Sequence, residues 1–257
     1  MRIHALENAE TISSFSEFVS WCEDNFEKRS AFIFRGQANT EWKLLPKASR
    51  SPYNSRNAET RFSVWERRAT MWLDLSLNYQ QKLCIAQHNG LATRLLDWSF
   101  NPLVALYFAV SDEIFRQETN HRNYCSIVYA INITSPRILE ENNLKNQSGD
   151  HFCLVRGSGP NHRLASQSGV FTFDPNRILD SENSIDQEVS LKCIKIKNQR
   201  EIESSLYRHG IHHMSIFPDL HGFLIILTVL KQSIGFNGVV HLIQMTFHFM
   251  KLAVNKS

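Results

Sequence analysis

The stretch LCIAQHNGLATRLLDWSFNPLVALYFAVSD, from Leu83 to Asp112, carries the strongest structural signals in the chain. Asn89-Gly90 predicts the end of a helix, because glycine adopts the left-handed conformation there without steric cost. Asn101-Pro102 predicts the start of another helix, with an asparagine N-cap and proline at the first helical position. The turn expected between the two apolar segments holds the polar or aromatic side chains Gln87, His88, Thr93, Arg94, Asp97 and Trp98. A turn anchored between two buried segments is a candidate binding site.

The composition is that of a soluble globular protein with enough chain for a large core. The 257 residues are 42% hydrophobic and 21% charged, which is ordinary for a folded domain. A net charge of +3 without a basic run gives no indication of nucleic-acid binding. The five cysteines form no CxxC pair, so free thiols in a reducing compartment are favoured over structural zinc. With no signal-peptide pattern at Met1, we expect a cytoplasmic protein.

The first half of the chain predicts two helices and a short strand before the central stretch. Ser14 and Glu17 form a capping-box pattern at the start of a helix. Residues 31–34 are typical of a short buried strand, which ends in Arg35-Gly36-Gln37. A single long helix is expected over residues 57–83, with its core face formed by Phe62, Trp65, Ala69, Trp72 and Leu73.

The second half predicts alternating strands and loops. A helix that starts at Pro102 is expected to bury one face. Residues 126–133 are then predicted to form a central strand by their apolar, β-branched composition. Residues 151–161 are expected to be a loop, and residues 169–173 and 191–196 strands. Asn198 and Glu201 predict a capping box for a helix ending at His209-Gly210, followed by a turn over residues 214–222. We therefore predict one α+β domain.

The chain after Gly222 is strongly apolar. Neither of its apolar segments, residues 223–230 and 239–254, reaches the length of about 20 uninterrupted apolar residues that a membrane span needs. We expect residues 223–257 to be helical and to pack on the same domain. A surface for a protein partner and contact with a membrane surface are the alternative uses of this tail.

Arg35 is a candidate anion ligand because it lies at the end of a buried strand and precedes a glycine. Glycine allows another group to approach the backbone closely. The planar guanidinium can hold a phosphate or carboxylate through two parallel hydrogen bonds. The alternative is a structural ion pair with an internal acid such as Asp97.

The segment Thr93–Trp98 offers a second set of recognition groups. Arg94 could bind a pyrophosphate, Trp98 could stack on a ring, and His88 could donate to a sugar hydroxyl. Alternatively, Arg94 pairs with Asp97 across the turn and Trp98 belongs to the core.

Further candidates lie in the second half of the chain. Gln167, before Ser168-Gly169, could bind an amide or a ribose, with Arg163 nearby, although turn formation explains the same residues. His209, His212 and His213 have no Cys or carboxylate partner at metal-ligand spacing. GxGxxG, GxxxxGK[ST], HExxH and GxSxG patterns are absent, which argues against a Rossmann dinucleotide site, a P-loop, a zincin and an α/β-hydrolase.

Together these segments resemble the FRG domain family, named for its Phe-Arg-Gly motif. The matching motifs are Phe34-Arg35-Gly36-Gln37 with Glu41-Trp42, Ala86-Gln87-His88, Thr93-Arg94-Leu95-Leu96-Asp97-Trp98, Asn101-Pro102, Gln167-Ser168-Gly169 and Phe217-Pro218-Asp219. The resemblance runs from about Phe15 to Gly222, so we assign residues 1–222 to an FRG domain.

The resemblance implies a fold distantly similar to the ADP-ribosyltransferases, with a split, mixed β-core, flanking helices and NAD as substrate. It also implies a bacterial toxin or anti-phage effector. Arg35 would bind the NAD phosphate and ribose. Catalysis would involve Arg35 together with His88, Asp97 and Glu188. Glu188 lies in the segment Asp186-Gln187-Glu188. The NAD-binding residues would be Arg35, Gly36, Gln37, Thr93, Arg94, Trp98, Arg163 and Gln167.

Two functions of different kinds follow from this resemblance. The first is an enzyme that breaks the nicotinamide–ribose bond and passes ADP-ribose to a protein, a nucleic acid or water. The second is a non-enzymatic sensor that binds a nucleotide or a phage component in the same cleft. A third, plainer interpretation makes the arginines and Asp97 a buried structural network.

Overall fold

The computed structural model describes residues 6, 8–27, 31–53, 57–74, 76–111, 125–134, 137–138, 144, 153–156, 166–173, 191–219 and 222–224. The predicted site residues Arg163 and Glu188, and the apolar tail beyond Leu224, lie outside these residues. The described chain confirms an α+β protein with a mixed sheet and flanking helices.

The described residues contain eight strands and six α-helices. The strands are β1 (Thr11–Ile12), β2 (Phe32–Gln37), β3 (Leu95–Ser99), β4 (Ser126–Asn132), β5 (Arg137–Ile138), β6 (Cys153–Val155), β7 (Gly169–Phe173) and β8 (Leu191–Ile196). The helices are α1 (Phe15–Asn25), α2 (Ala58–Ala69), α3 (Tyr79–His88), α4 (Pro102–Val110), α5 (Gln199–Arg208) and α6 (His213–Ile216). A 3₁₀ turn spans Lys47–Ser49.

All eight described strands join one sheet in the order β1-β8-β4-β2-β3-β7-β6-β5. The β1–β8 and β5–β6 pairs are parallel. The other neighbours are antiparallel. The sheet is therefore mixed, as expected.

The sheet is nearly divided between β2 and β3. β2 pairs with β4 over six residues, and β3 pairs with β7 over five. By contrast, β2 and β3 are paired at one position, Phe34 with Ser99. We call this junction the seam, because it joins two half-sheets that are each well paired.

Helices and a loop cover the half-sheets with buried apolar side chains. One face of the β1-β8-β4-β2 half packs against α1, α4 and α5 through residues such as Phe18, Leu106 and Ile202. The opposite face includes Ile33 and Tyr129 and packs against Leu44 and Leu45. The second half packs against α2 and α3 through Phe62, Leu83, Phe171 and Phe173. The cluster around Ile33 and Tyr129 also contains Leu96 and Val170, so it is shared by the two halves.

Helix α4 begins where the sequence predicts. The Asn101 Oδ1 atom accepts a hydrogen bond from the Leu103 backbone nitrogen at 2.9 Å, and Pro102 occupies the first turn. Its burial differs from the expected single face, because Val104, Ala105 and Ala109 are buried together with Leu106, Tyr107 and Val110. Packing against both β2 and α5 accounts for this wider burial.

The single long helix expected over residues 57–83 is wrong. Helix α2 ends at Ala69, and α3 begins at Tyr79 with a capping box in which the Asn78 side chain accepts from Gln81 N and the Gln81 side chain accepts from Asn78 N. Trp72, expected in the core, is 78% exposed. The capping box was the local signal for a second helix.

Four further segments differ from expectation. The predicted turn at residues 93–98 contains β3, and the predicted loop at residues 151–161 contains β6. Residues 213–216 are helical. Asn198 adopts a left-handed φ of 53° and makes no side-chain cap, so the predicted capping box is absent. Strand pairing with distant residues explains the first two differences.

Among the described helices, none combines the length and apolar character required to cross a membrane.

Candidate functional site

A cavity of about 720 Å³ lies at the seam and is lined by both half-sheets. Residues 34–38 line it from β2 and the residue after it, and residues 95–99 line it from β3. Strand β7 contributes Gly169, Val170 and Phe171, and α3 contributes Cys84, Gln87 and His88. The volume is in the range of small-molecule sites, so the incomplete pairing of β2 with β3 leaves room for a ligand.

The Arg35 side chain crosses the seam. Its Nη1 atom donates to the backbone oxygen of Asp97 at 2.7 Å, whereas its Nε atom is buried without a hydrogen-bond partner. Burial lowers the pKa of Arg35 to about 10, while the Asp97 charge acts in the opposite direction. Arg35 therefore carries a positive charge at neutral pH, and its contact with Asp97 is made to the main chain.

The Asp97 carboxylate is exposed and held in position from α3. Its Oδ1 atom accepts a hydrogen bond from Gln87 Nε2 at 2.7 Å. The Gln87 Oε1 atom in turn accepts from the hydroxyl of Thr93. Thr93 is buried and is absent from the cavity lining, so it acts on the site by positioning Gln87.

Two basic side chains that the sequence did not single out line the cavity after β2. Lys47 Nζ donates to the Gly90 backbone oxygen at 2.9 Å. Arg50 donates to the Leu45 backbone oxygen from Nε at 2.9 Å and from Nη2 at 2.6 Å. Burial lowers the pKa of Arg50, and the Asp97 charge opposes that shift. With Arg35 they give the cavity three basic side chains.

Exposed aromatic rings accompany these cations. Trp42 is 47% exposed and Tyr53 is 36% exposed, and both line the cavity. Lys47 Nζ lies 5.6 Å from the centre of the Tyr53 ring. Exposed rings beside basic groups suit an anionic ligand that also carries a flat ring.

Arg94 lies away from the cavity lining. Its Nη1 atom forms an ion pair with Glu59 Oε1 of α2 at 2.7 Å, and its guanidinium lies 5.1 Å from the centre of the Phe173 ring. The alternative pairing of Arg94 with the Asp97 carboxylate is not formed. Arg94 therefore connects β3 to α2.

The remaining predicted site residues in the described chain line the cavity. They are Gly36, Gln37, His88, Trp98 and Gln167. Trp98 is also buried, as the core interpretation expected, and donates from Nε1 to the Thr172 hydroxyl at 2.9 Å. Gln167 Nε2 donates to the Ile216 backbone oxygen at 3.2 Å. His88 is exposed in the last turn of α3.

Cys84 also lines the cavity but is a poor nucleophile. Burial, followed by the Asp97 charge, raises the pKa of its thiol to about 12. The thiolate is the reactive form of cysteine, so Cys84 stays unreactive at neutral pH. Within the described residues, no cluster of His, Cys, Asp and Glu could hold a metal ion.

Comparison with known proteins identifies the segment that forms most of this cavity. Residues 30–118 match the family model of the FRG domain. This segment includes β2, β3, α2, α3 and α4, whereas β1 and β4 to β8 complete the same sheet outside it. Neither the curated proteins nor the solved structures contain a match to the chain.

Proposed function

Because the chain carries an FRG domain at residues 30–118, we propose that this domain binds NAD in the seam cavity and cleaves its nicotinamide–ribose bond. The ADP-ribose would pass to water or to a protein or nucleic-acid acceptor. Consumption of NAD, or modification of a macromolecule, would suit a bacterial toxin or an anti-phage effector.

The observation that carries this proposal is the Asp97 carboxylate. It is exposed, it lines the cavity, and Gln87 Nε2 fixes it at 2.7 Å. Cleavage of the nicotinamide–ribose bond develops positive charge on the ribose. A carboxylate fixed before the reaction stabilises that charge without reorganisation.

The rest of the cavity supports a nucleotide ligand. Arg35, Lys47 and Arg50 supply positive charge for the pyrophosphate. Trp42 and Tyr53 offer ring surfaces for stacking on a base or a nicotinamide ring. The same cavity thus pairs the groups that bind a dinucleotide with a carboxylate suited to its cleavage.

The proposed step needs no oxidant or reductant. The bond between the ribose anomeric carbon and the nicotinamide nitrogen breaks, and its electron pair leaves with the ring as neutral nicotinamide. Asp97 faces the resulting oxocarbenium-like ribose. Water or an acceptor nucleophile forms the new bond and releases a proton.

The test is nicotinamide release by the wild-type protein and its Asp97→Asn and Arg35→Ala variants, with ADP-ribose labelling of cell lysate followed in parallel. We expect Asp97→Asn to lower the rate by about 10²–10³, the usual cost of one electrostatic group at a reacting centre, with NAD still bound. Asp24→Asn, an exposed site on α1, is the matched control. An Arg35→Ala variant with the NAD affinity of the wild type would contradict the proposal.

A second candidate function is a sensor that binds the nucleotide without cleaving it. The small number of acidic side chains in the cavity favours it. Among the described residues that line the cavity, Asp97 is the single carboxylate, so no second acid is available there to activate an acceptor. Saturable NAD binding that depends on Arg35, without nicotinamide release over long incubation, would support the sensor over the enzyme.

A further inference from the structure

Two glutamine side chains in the described part of the chain combine deep burial with an unpaired carboxamide oxygen. Gln37 and Gln80 are each 4% exposed, and the Oε1 atom of each has no hydrogen-bond partner. Gln37 lines the seam cavity, whereas Gln80 is absent from its lining. A buried acceptor without a partner is unfavourable, and at Gln37 a ligand in the cavity could relieve it.

The orientation of the Gln37 carboxamide follows from its one hydrogen bond. Nε2 donates to the backbone oxygen of Lys43 at 3.5 Å. A backbone carbonyl only accepts hydrogen bonds, so the nitrogen faces Lys43 and the oxygen remains without a donor. Because the bond to Lys43 is long, the carboxamide can turn towards a ligand at little cost.

Arg35 and Gln37 are two residues apart in β2 and therefore project from the same face of the strand. The buried Arg35 Nε atom also lacks a partner. One strand thus presents an unused donor and an unused acceptor to the same cavity. The acceptor is the more selective group, because keto and carboxylate oxygens cannot donate to it.

We propose that the Gln37 carboxamide oxygen accepts a hydrogen bond from an exocyclic N–H group of the nucleotide and thereby selects ligands that carry this donor. This inference rests on the proposed binding of NAD. Two parts of NAD supply such a donor, the carboxamide of nicotinamide and the amino group of adenine. The chemistry is the same for both, and analogues that remove one donor at a time separate them.

The experiment measures the affinity of the wild-type protein for NAD, nicotinic acid adenine dinucleotide and nicotinamide hypoxanthine dinucleotide by isothermal titration calorimetry. The first analogue lacks the carboxamide N–H, and the second lacks the adenine amino group. We expect one analogue to bind about tenfold more weakly than NAD, the loss expected for one hydrogen bond left unmade. The analogue that is discriminated against identifies the group that Gln37 contacts.

The variant Gln37→Met then tests whether Gln37 is the origin of this preference. It should bind NAD and the discriminated analogue with similar affinity. Gln80→Met is the matched control, because Gln80 has the same burial and the same unpaired oxygen away from the cavity, and it should retain the tenfold preference. The wild-type comparison needs no variant, so the proposal can be tested even if Gln37→Met does not fold.

The outcomes separate this inference from the proposed function. Equal wild-type affinity for all three dinucleotides would overturn the role of Gln37 and leave NAD binding intact. A preference that survives in Gln37→Met would do the same. No binding of any of the three would overturn both proposals.

Discussion

Gly36 is the residue on which the close approach of α4 to β2 depends. A Cβ atom added at Gly36 would lie 2.6 Å from the Ala109 backbone nitrogen and would overlap the Ala105 backbone oxygen. Backbone atoms of a buried helix cannot move aside as a flexible side chain can. The glycine of the Phe34-Arg35-Gly36 motif therefore fixes the distance between the helix and the strand that carries Arg35.

The substitution Gly36→Ala should lower the free energy of unfolding by about 1–3 kcal/mol, because overpacking displaces α4. Thermal and urea unfolding measure the change. Gly90→Ala is the control, since no atom lies within 4 Å of an added Cβ there and its φ of +91° is the sole source of strain. A Gly36→Ala protein as stable as wild type would contradict this account.

At the level of single residues, the sequence identified part of the candidate site. Arg35, His88 and Asp97 were predicted because their residue types suit ligand chemistry beside buried segments, and all three line the cavity. Lys47 and Arg50 were missed because they lie in a segment with no apolar periodicity. Arg94 had the right chemistry but pairs with Glu59, a contact across 35 residues of sequence that local patterns do not reveal.

At the level of elements, the caps predicted at Ser14 and Asn101 are confirmed, whereas the one predicted at Asn198 is wrong. Asn101-Pro102 starts α4, and glycines with positive φ, Gly90 and Gly210, follow α3 and α5. Strand β3 was missed because its pairing partners, β2 and β7, are remote in sequence. The polar side chains of Thr93, Arg94 and Asp97 also obscured this strand, in which Asp97 is the one exposed residue.

The ion pair between Arg94 and Glu59 joins β3 to α2, and its strength can be measured with a double-mutant cycle. Both side chains are partly exposed, at 22% and 42%. We expect Arg94→Ala to cost about 1 kcal/mol or less, with a coupling energy of a few tenths to about 1 kcal/mol. The Lys82–Glu66 pair, at 3.1 Å between α3 and α2, is a matched comparison.

A much larger effect would favour the alternative of a buried structural network. Removal of one partner from a fully buried ion pair costs about 3–5 kcal/mol. If Arg94→Ala unfolds the protein at room temperature, the partly exposed pairing described above is the wrong account of its role.

For the whole molecule, the cavity links ligand binding to stability, because its walls belong to two half-sheets. NAD at 100 times its dissociation constant should stabilise the protein by about 2.7 kcal/mol. For a chain of this size that corresponds to a rise in Tm of roughly 5–11 °C. Differential scanning fluorimetry measures the rise, and Arg35→Ala should reduce it. An unchanged wild-type Tm at millimolar NAD would contradict binding at the seam.

The α+β fold class was predictable from the sequence, whereas the seam between the half-sheets was not. Periodicity and composition indicate four of the described strands, β2, β4, β7 and β8, but they carry no information on how many residues of two remote strands are paired. That number, one pair between β2 and β3, creates the cavity. The resemblance to FRG domains supplied the expectation of a divided β-core that local patterns could not provide.

The seam also has a consequence for how the chain reaches its final state. The two half-sheets share one apolar cluster, in which Ile33 and Tyr129 of one half lie with Leu96 and Val170 of the other. Pairings within the halves, such as Thr11 with Lys195 and Leu95 with Phe173, join residues that are more remote in sequence than Phe34 and Ser99. Closing such long loops is entropically costly. Because the walls of the cavity belong to both halves, the cavity is complete only when both are in place. A small ligand that occupies the cavity would then bind the native state and not partly folded states. Ligand binding would therefore also report that folding is complete.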